Sequence, residues 1–109
     1  MPTYNKLVRD LIPDIIHNSG KEAVTSILSE DNFRVALRTK LSEEVQEYLT
    51  EGSDEQALEE LADILEVVSA LAKLHGSTFE ETLSIQAKKA RERGGFEQRV
   101  FLIEVDDES

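Results

Sequence analysis

Two runs of carboxylates hold the chemistry open to this chain. Glu43-Glu44-Val45-Gln46-Glu47 is followed, after a short break, by Glu59-Glu60-Leu61-Ala62-Asp63. Carboxylates gathered in one place repel one another and resist burial, and a cation among them relieves both costs. An all-oxygen donor set suits a hard divalent ion, Mg2+ or alternatively Mn2+. Such an ion activates water and neutralises phosphoryl oxygens, so metal-dependent chemistry on phosphates is the expected reaction class. The chain has no cysteine, which leaves oxygen donors or the two histidines. His17 and His75 each precede a helix stop and read as end-of-helix residues rather than ligands.

Residues three apart project from one face of a helix. Glu44 with Glu47, and Glu60 with Asp63, are such pairs. A turn centred near Gly52-Ser53 folds the two stretches into an antiparallel hairpin. Glu47 then stands nearly level with Glu60, and Glu44 with Asp63 one turn further on. At ~1.5 Å rise per residue the offset is roughly 3 Å, which carboxylate side chains absorb. A single Glu-x-x-Glu pair is ordinary solvated surface. Two pairs at matching height, each beside an apolar row, are not. Glu44 continues the row of Phe33, Leu37, Leu41 and Tyr48, and Glu60 and Asp63 continue the row of Val67, Ala70 and Leu74. Glu59 falls with Glu66 and Lys73 on a solvent stripe.

The helices that position these residues are marked by their ends. Ser29 caps the first long one, with Glu30 and Asp31 where the helix dipole favours acid, and it runs to about Glu51 before Gly52. Ser53 caps the second, with Gln56 three residues on, and it runs to about His75 before Gly76. Its apolar residues cover most of its circumference, so it is buried on more than one side, as in a bundle completed by a partner chain. A third long helix starts after Ser77 or Thr78 and ends at Gly94-Gly95. Pro13 opens a short helix, Ile12 or Pro13 to Asn18, stopped by Gly20. Residues 23–28 and 96–105 have the composition of short strands that pair with each other.

These elements make one domain over residues 1–109: an N-terminal segment 1–28, a helical core 29–94, and a C-terminal strand with an acidic tail over 95–109. The expected fold is mainly α, a helical bundle built on the antiparallel hairpin and completed by oligomerisation, with one or two short peripheral strands. Charged residues make up 32% of the chain and hydrophobic ones 39%, and the net charge is −11. That balance argues against binding a nucleic-acid polymer, and no apolar run is long enough to span a bilayer. Residues 1–9 lack the apolar centre of a secretory signal, so a cytoplasmic protein is expected.

The acidic pattern Glu-Glu-x-x-Glu, a spacer, then Glu-x-x-Asp on a helical hairpin resembles the signature of the MazG-type all-α nucleoside triphosphate pyrophosphohydrolases, a superfamily that includes phosphoribosyl-ATP pyrophosphohydrolase and the dimeric dUTPases. The opening Tyr4-Asn5-Lys6-Leu7-Val8-Arg9-Asp10-Leu11-Ile12-Pro13 and the closing Arg93-Gly94-Gly95-Phe96 resemble the ends of a small phosphoribosyl-ATP pyrophosphohydrolase-like subgroup. The resemblance covers nearly the whole chain. It implies that Glu44, Glu47, Glu60 and Asp63 are Mg2+ ligands. It also implies hydrolysis of a nucleoside triphosphate between the α and β phosphates, giving the monophosphate and pyrophosphate, by a homodimer or homotetramer.

On that reading Glu43 or Glu47 orients the attacking water or takes its proton. Lys89 and Arg93, one turn apart, and Lys6 and Arg9 are the candidates for holding the leaving pyrophosphate. Cations at a helix C-terminus are also favoured by the dipole alone, and that explanation is the stronger for Lys88 and Arg91. A reading of another class is a non-catalytic helical scaffold or regulatory subunit with a vestigial metal site, dimerising through Val67, Ala70 and Leu74.

Overall fold

A computed structural model of the protein describes residues 3–106. Four helices follow one another: α1 Ile12–Asn18, α2 Glu30–Thr50, α3 Asp54–Leu74 and α4 Phe79–Arg93. The chain divides into two compact units, Met1–Phe79 and Glu80–Ser109. The expected mainly α architecture is thus present in the chain itself.

The helix ends follow from local chemistry. Ser29 Oγ accepts the Asn32 N–H at 3.2 Å, and Ser53 Oγ accepts the Gln56 N–H at 3.2 Å. Each satisfies one of the donors that a helix start leaves unpaired. Pro13 sits in the first turn of α1. After α3 the chain leaves through Gly76 at φ +75°, a left-handed conformation that only glycine adopts without strain.

In the first unit α2 and α3 pack against each other. Only Glu51, Gly52 and Ser53 separate them, so the two helices run antiparallel as a tight hairpin. The hydrophobic core is thin. Leu37 of α2 and Val67 of α3, 4% and 7% exposed, are the buried hydrophobic residues among those described. Val67 lies on the α3 stripe that includes Glu60, so the stripe shared by carboxylates and apolar residues is the one turned inward. The opposite situation holds for Leu58, Leu61 and Leu65, which stand exposed. The apolar row left exposed along α3 is therefore this one, whereas Val67 is buried inside the hairpin.

The expected strands are absent among the described residues. Residues 21–29 and 100–106 have no regular structure. Val24 and Ile27 are almost fully exposed. The second segment begins with a turn, in which the Arg99 N–H donates to the Phe96 carbonyl at 3.1 Å and Arg99 takes φ +55°. β-branched composition favours an extended backbone, but a strand exists only where a ladder partner satisfies its N–H and C=O groups. Of the acidic tail, Asp107, Glu108 and Ser109 lie outside the described residues. No helix among the described residues is long and apolar enough to cross a membrane.

With so few buried side chains, each matters. Leu37→Ala is expected to destabilise the protein by about 2–5 kcal/mol, the usual cost of emptying a leucine site. Urea unfolding followed by helix signal measures it, and an unchanged midpoint would place the core elsewhere.

Candidate metal centre

The inward stripes of α2 and α3 bring three carboxylates together. Oxygens of Glu44, Glu47 and Glu60 all lie within 4.8 Å of one another. Glu44, 6% exposed, is the most buried of the three, Glu60 is half-buried, and Glu47 stands at the solvent edge. The cause is the helical period joined to the short loop. Glu44 and Glu47 are one turn apart on α2, and Glu60 is reached from the other side as α3 runs back.

The charges in this cluster are partly neutralised from α2 itself. Lys40 Nζ lies 3.3 Å from Glu44 Oε1 and 3.8 Å from Glu43 Oε2. Lys40 was not singled out in the sequence, although its spacing of three and four residues from these acids is the usual signal for such pairs. The neutralisation is incomplete. Glu44 Oε2 and Glu60 Oε2 are both buried without a hydrogen-bond partner among the described residues. A buried carboxylate oxygen without a donor is costly. An ion with oxygen ligands at about 2.0–2.6 Å fits such a set once the side chains close slightly around it.

A proton is the other remedy. Glu60 has its pKa raised from 4.5 to about 7, first because a proton on it can be shared with Glu44, then through burial and the neighbouring charge of Glu47. Burial alone pushes Glu44 up, but its contacts with Glu60, Lys40 and Glu47 outweigh that and hold it below its ordinary value. The pair thus settles with the proton on Glu60 and the charge on Glu44, next to Lys40.

Asp63 is placed differently. It stands one turn beyond Glu60 on α3, and its Oδ1 accepts from Arg9 Nη2 at 2.7 Å. It is not among the carboxylates whose oxygens lie mutually close. Glu43 is half-exposed beside Lys40 and lies outside that set as well. Glu59 is exposed. Of the cations assigned to phosphate, Arg9 is at the edge of the acidic cluster through Asp63, and Lys6 lies over the Tyr4 ring at 5.5 Å. Lys89 and Arg93 are on α4, in the second unit, both exposed, while their neighbour Lys88 pairs with Glu92 at 3.8 Å. His17 sits in the last turn of α1, 3.5 Å from Glu22, and His75 caps the end of α3. A groove of about 560 Å3 between the far ends of α2 and α3 is lined by Arg34, Arg38, Leu71 and His75, among others, and includes none of the four carboxylates.

Over 54 residues the chain is 44% identical to an uncharacterised protein of Mycolicibacterium smegmatis, a stretch that is 50% of this chain and 55% of that protein. The chain therefore spans about half the length of this relative. No family model matches the chain, and no solved structure matches it.

The Glu60 proton has a thermodynamic consequence. In the folded protein it stays bound up to about pH 7, whereas an unfolded glutamate releases it near 4.5. The folded state holds the extra proton in that window, so this group's contribution to stability is complete below 4.5 and is lost as pH rises through 7. Glu44 acts in the opposite sense, below 4.5, where its contribution is lost as pH falls. Metal-free protein is expected to lose melting temperature between about pH 4.5 and 7 more steeply than the Glu60→Gln variant. Parallel melting curves for the two proteins would remove Glu60 as the cause.

Proposed function

We propose that this chain is a Mg2+-dependent nucleoside triphosphate pyrophosphohydrolase of the MazG type, cleaving between the α and β phosphates. The observation that carries the proposal is the buried Glu44 carboxylate with an orphaned oxygen, grouped with Glu47 of its own helix and Glu60 across the hairpin. A structural role alone gives no reason to keep three carboxylates around a site with one lysine. The sequence resemblance supplies the reaction.

Glu44, Glu47 and Glu60 hold the metal in this reading, with Asp63 joining them from the next turn of α3. Bound there, the ion would supply charge neutralisation at the phosphoryl oxygens and a more acidic water. Glu47 is the group best placed to take a proton from the attacking water, because it belongs to the cluster yet is open to solvent. Glu43 is less suited, being held beside Lys40. The water oxygen forms a bond to the α phosphorus as the bond from that phosphorus to the bridging oxygen breaks, and pyrophosphate leaves with the electron pair. Glu44, kept ionised by Lys40, holds fixed negative charge at the closed end of the site. Lys6 and Arg9, in the same unit as the carboxylates, are the cations proposed to receive the phosphates.

We also propose that the active form is a homo-oligomer. Leu58, Leu61 and Leu65 leave an apolar stripe along α3 that a second copy would cover. A cytoplasmic setting is proposed with it, where both Mg2+ and nucleotides are at hand. The same stripe would serve a non-catalytic scaffold, so association does not separate the two readings, whereas metal dependence does.

A panel of NTPs and dNTPs with Mg2+, its products resolved by chromatography, is expected to yield monophosphate and pyrophosphate. Diphosphate and orthophosphate would contradict the reading. Glu44→Gln and Asp63→Asn are expected to abolish turnover with helical content unchanged, and full activity in both would remove the assigned site. Mg2+ or Mn2+ is further expected to raise the melting temperature of the wild type, by an amount that grows with ion concentration as binding to the folded state alone requires. The Glu60→Gln variant should lose most of that rise. A wild type indifferent to both ions and to nucleotides would favour the scaffold.

A further inference from the structure

The contact between Arg9 and Asp63 joins two residues with separate proposed tasks, one toward phosphate and the other toward metal. We propose that Arg9 is a transferable counterion: it holds Asp63 while the acidic cluster is unloaded and passes to a phosphate group of the substrate once Asp63 turns to the metal. The proposal rests on the metal-site reading above and deepens it, because it makes phosphate binding conditional on metal loading.

Three observations support the exchange. Asp63 is one turn from Glu60 on the same stripe of α3, yet its oxygens lie outside the set formed by Glu44, Glu47 and Glu60, and one of them faces Arg9 at 2.7 Å. The pair is accessible, with side-chain exposures of 55% for Arg9 and 40% for Asp63, so breaking it exposes no unsatisfied buried charge. Finally, the Arg9 backbone is anchored, while its side chain is exposed and held by Asp63 at the surface. The Ile12 N–H donates to the Arg9 carbonyl at 3.1 Å, tying the residue to the start of α1. A guanidinium on a fixed backbone swings within a small radius and stays at the rim of the cluster.

The chemistry of the two partners makes the transfer inexpensive. A guanidinium presents a planar fork that matches a carboxylate and a phosphate equally well. Arg9 therefore loses one anionic partner and gains another of the same geometry. Without loading, Asp63 holds the Nη2 of Arg9, and an incoming phosphate finds the guanidinium partly engaged and the cluster negative. With loading, Asp63 has a second cation to serve and Arg9 is released beside it. Metal first and phosphate second is the order that follows.

Arg9→Ala separates the two halves of the exchange by opposite signs. Titration calorimetry of the full chain with Mn2+ alone, and then of the Mn2+-loaded protein with inorganic pyrophosphate, reads both. The variant is expected to bind Mn2+ about two- to fivefold more tightly, since Asp63 no longer has to leave a surface ion pair. The loaded variant is expected to bind pyrophosphate about tenfold or more weakly, the usual effect of deleting a charged hydrogen bond. In the Asp63→Asn background, Arg9→Ala should no longer tighten Mn2+ binding. If the gain persists there, simple repulsion between Arg9 and the ion explains it and the exchange is overturned. Weaker Mn2+ binding by Arg9→Ala would make Arg9 a brace for Asp63 and also overturn it. Unchanged affinity for both probes overturns the exchange but leaves the metal site standing, whereas a wild type that binds no Mn2+ overturns both.

Discussion

Mutual repulsion between Glu44, Glu47 and Glu60 is the constraint around which the first unit is arranged. Three carboxylates with oxygens within 4.8 Å of one another are unfavourable at neutral pH unless positive charge is found for them. The chain finds it in three places. Lys40 comes from the same helix, Arg9 comes from the N-terminal segment to hold the neighbouring Asp63, and a proton on Glu60 supplies the rest. Without that proton, two buried oxygens of the cluster, Glu44 Oε2 and Glu60 Oε2, have no hydrogen-bond partner among the described residues. An arrangement that surrounds a site with cations and leaves its middle unsatisfied is understandable if the middle belongs to an ion.

The same stripes that carry the acids also carry the core. Leu37 and Val67 are buried on the faces that present Glu44 and Glu60. The hairpin therefore joins an apolar layer and a polar site along one seam. Lateral stability and site geometry are not independent in such a design. Anything that loosens the apolar layer also separates the carboxylates.

The helices were legible in the sequence because their ends are written in local chemistry. Ser29, Ser53, Pro13 and Gly76 act through bonds and dihedrals within a few residues of themselves. The grouping of Glu44, Glu47 and Glu60 was legible for a related reason, since helical period and a three-residue connection leave little freedom. The strands were misread at residues 23–28 and 96–105 because apolar and β-branched composition reports a tendency, while a ladder requires a partner that composition does not name. The Arg9–Asp63 pair, 54 residues apart, leaves no periodic trace at all. The inward stripe of α3 was recognised as special, yet Val67 was read as facing a partner chain. Apolar rows on both sides of a helix look alike until the packing shows which one the hairpin uses.

The tight connection between α2 and α3 has a consequence for how this protein can change over time. Glu51, Gly52 and Ser53 are the whole connection, and the capping bond from Gln56 to Ser53 sets where α3 begins to wind. From that point the direction of every α3 side chain is counted off at about 100° per residue. A residue inserted or deleted between Ser53 and Glu60 would turn the carboxylate by that angle and swing it out of the seam, whereas the same change in residues 21–29 would leave it in place. Length here works as phase. Divergent relatives can drift in composition along both helices, but those that keep the site must keep the count.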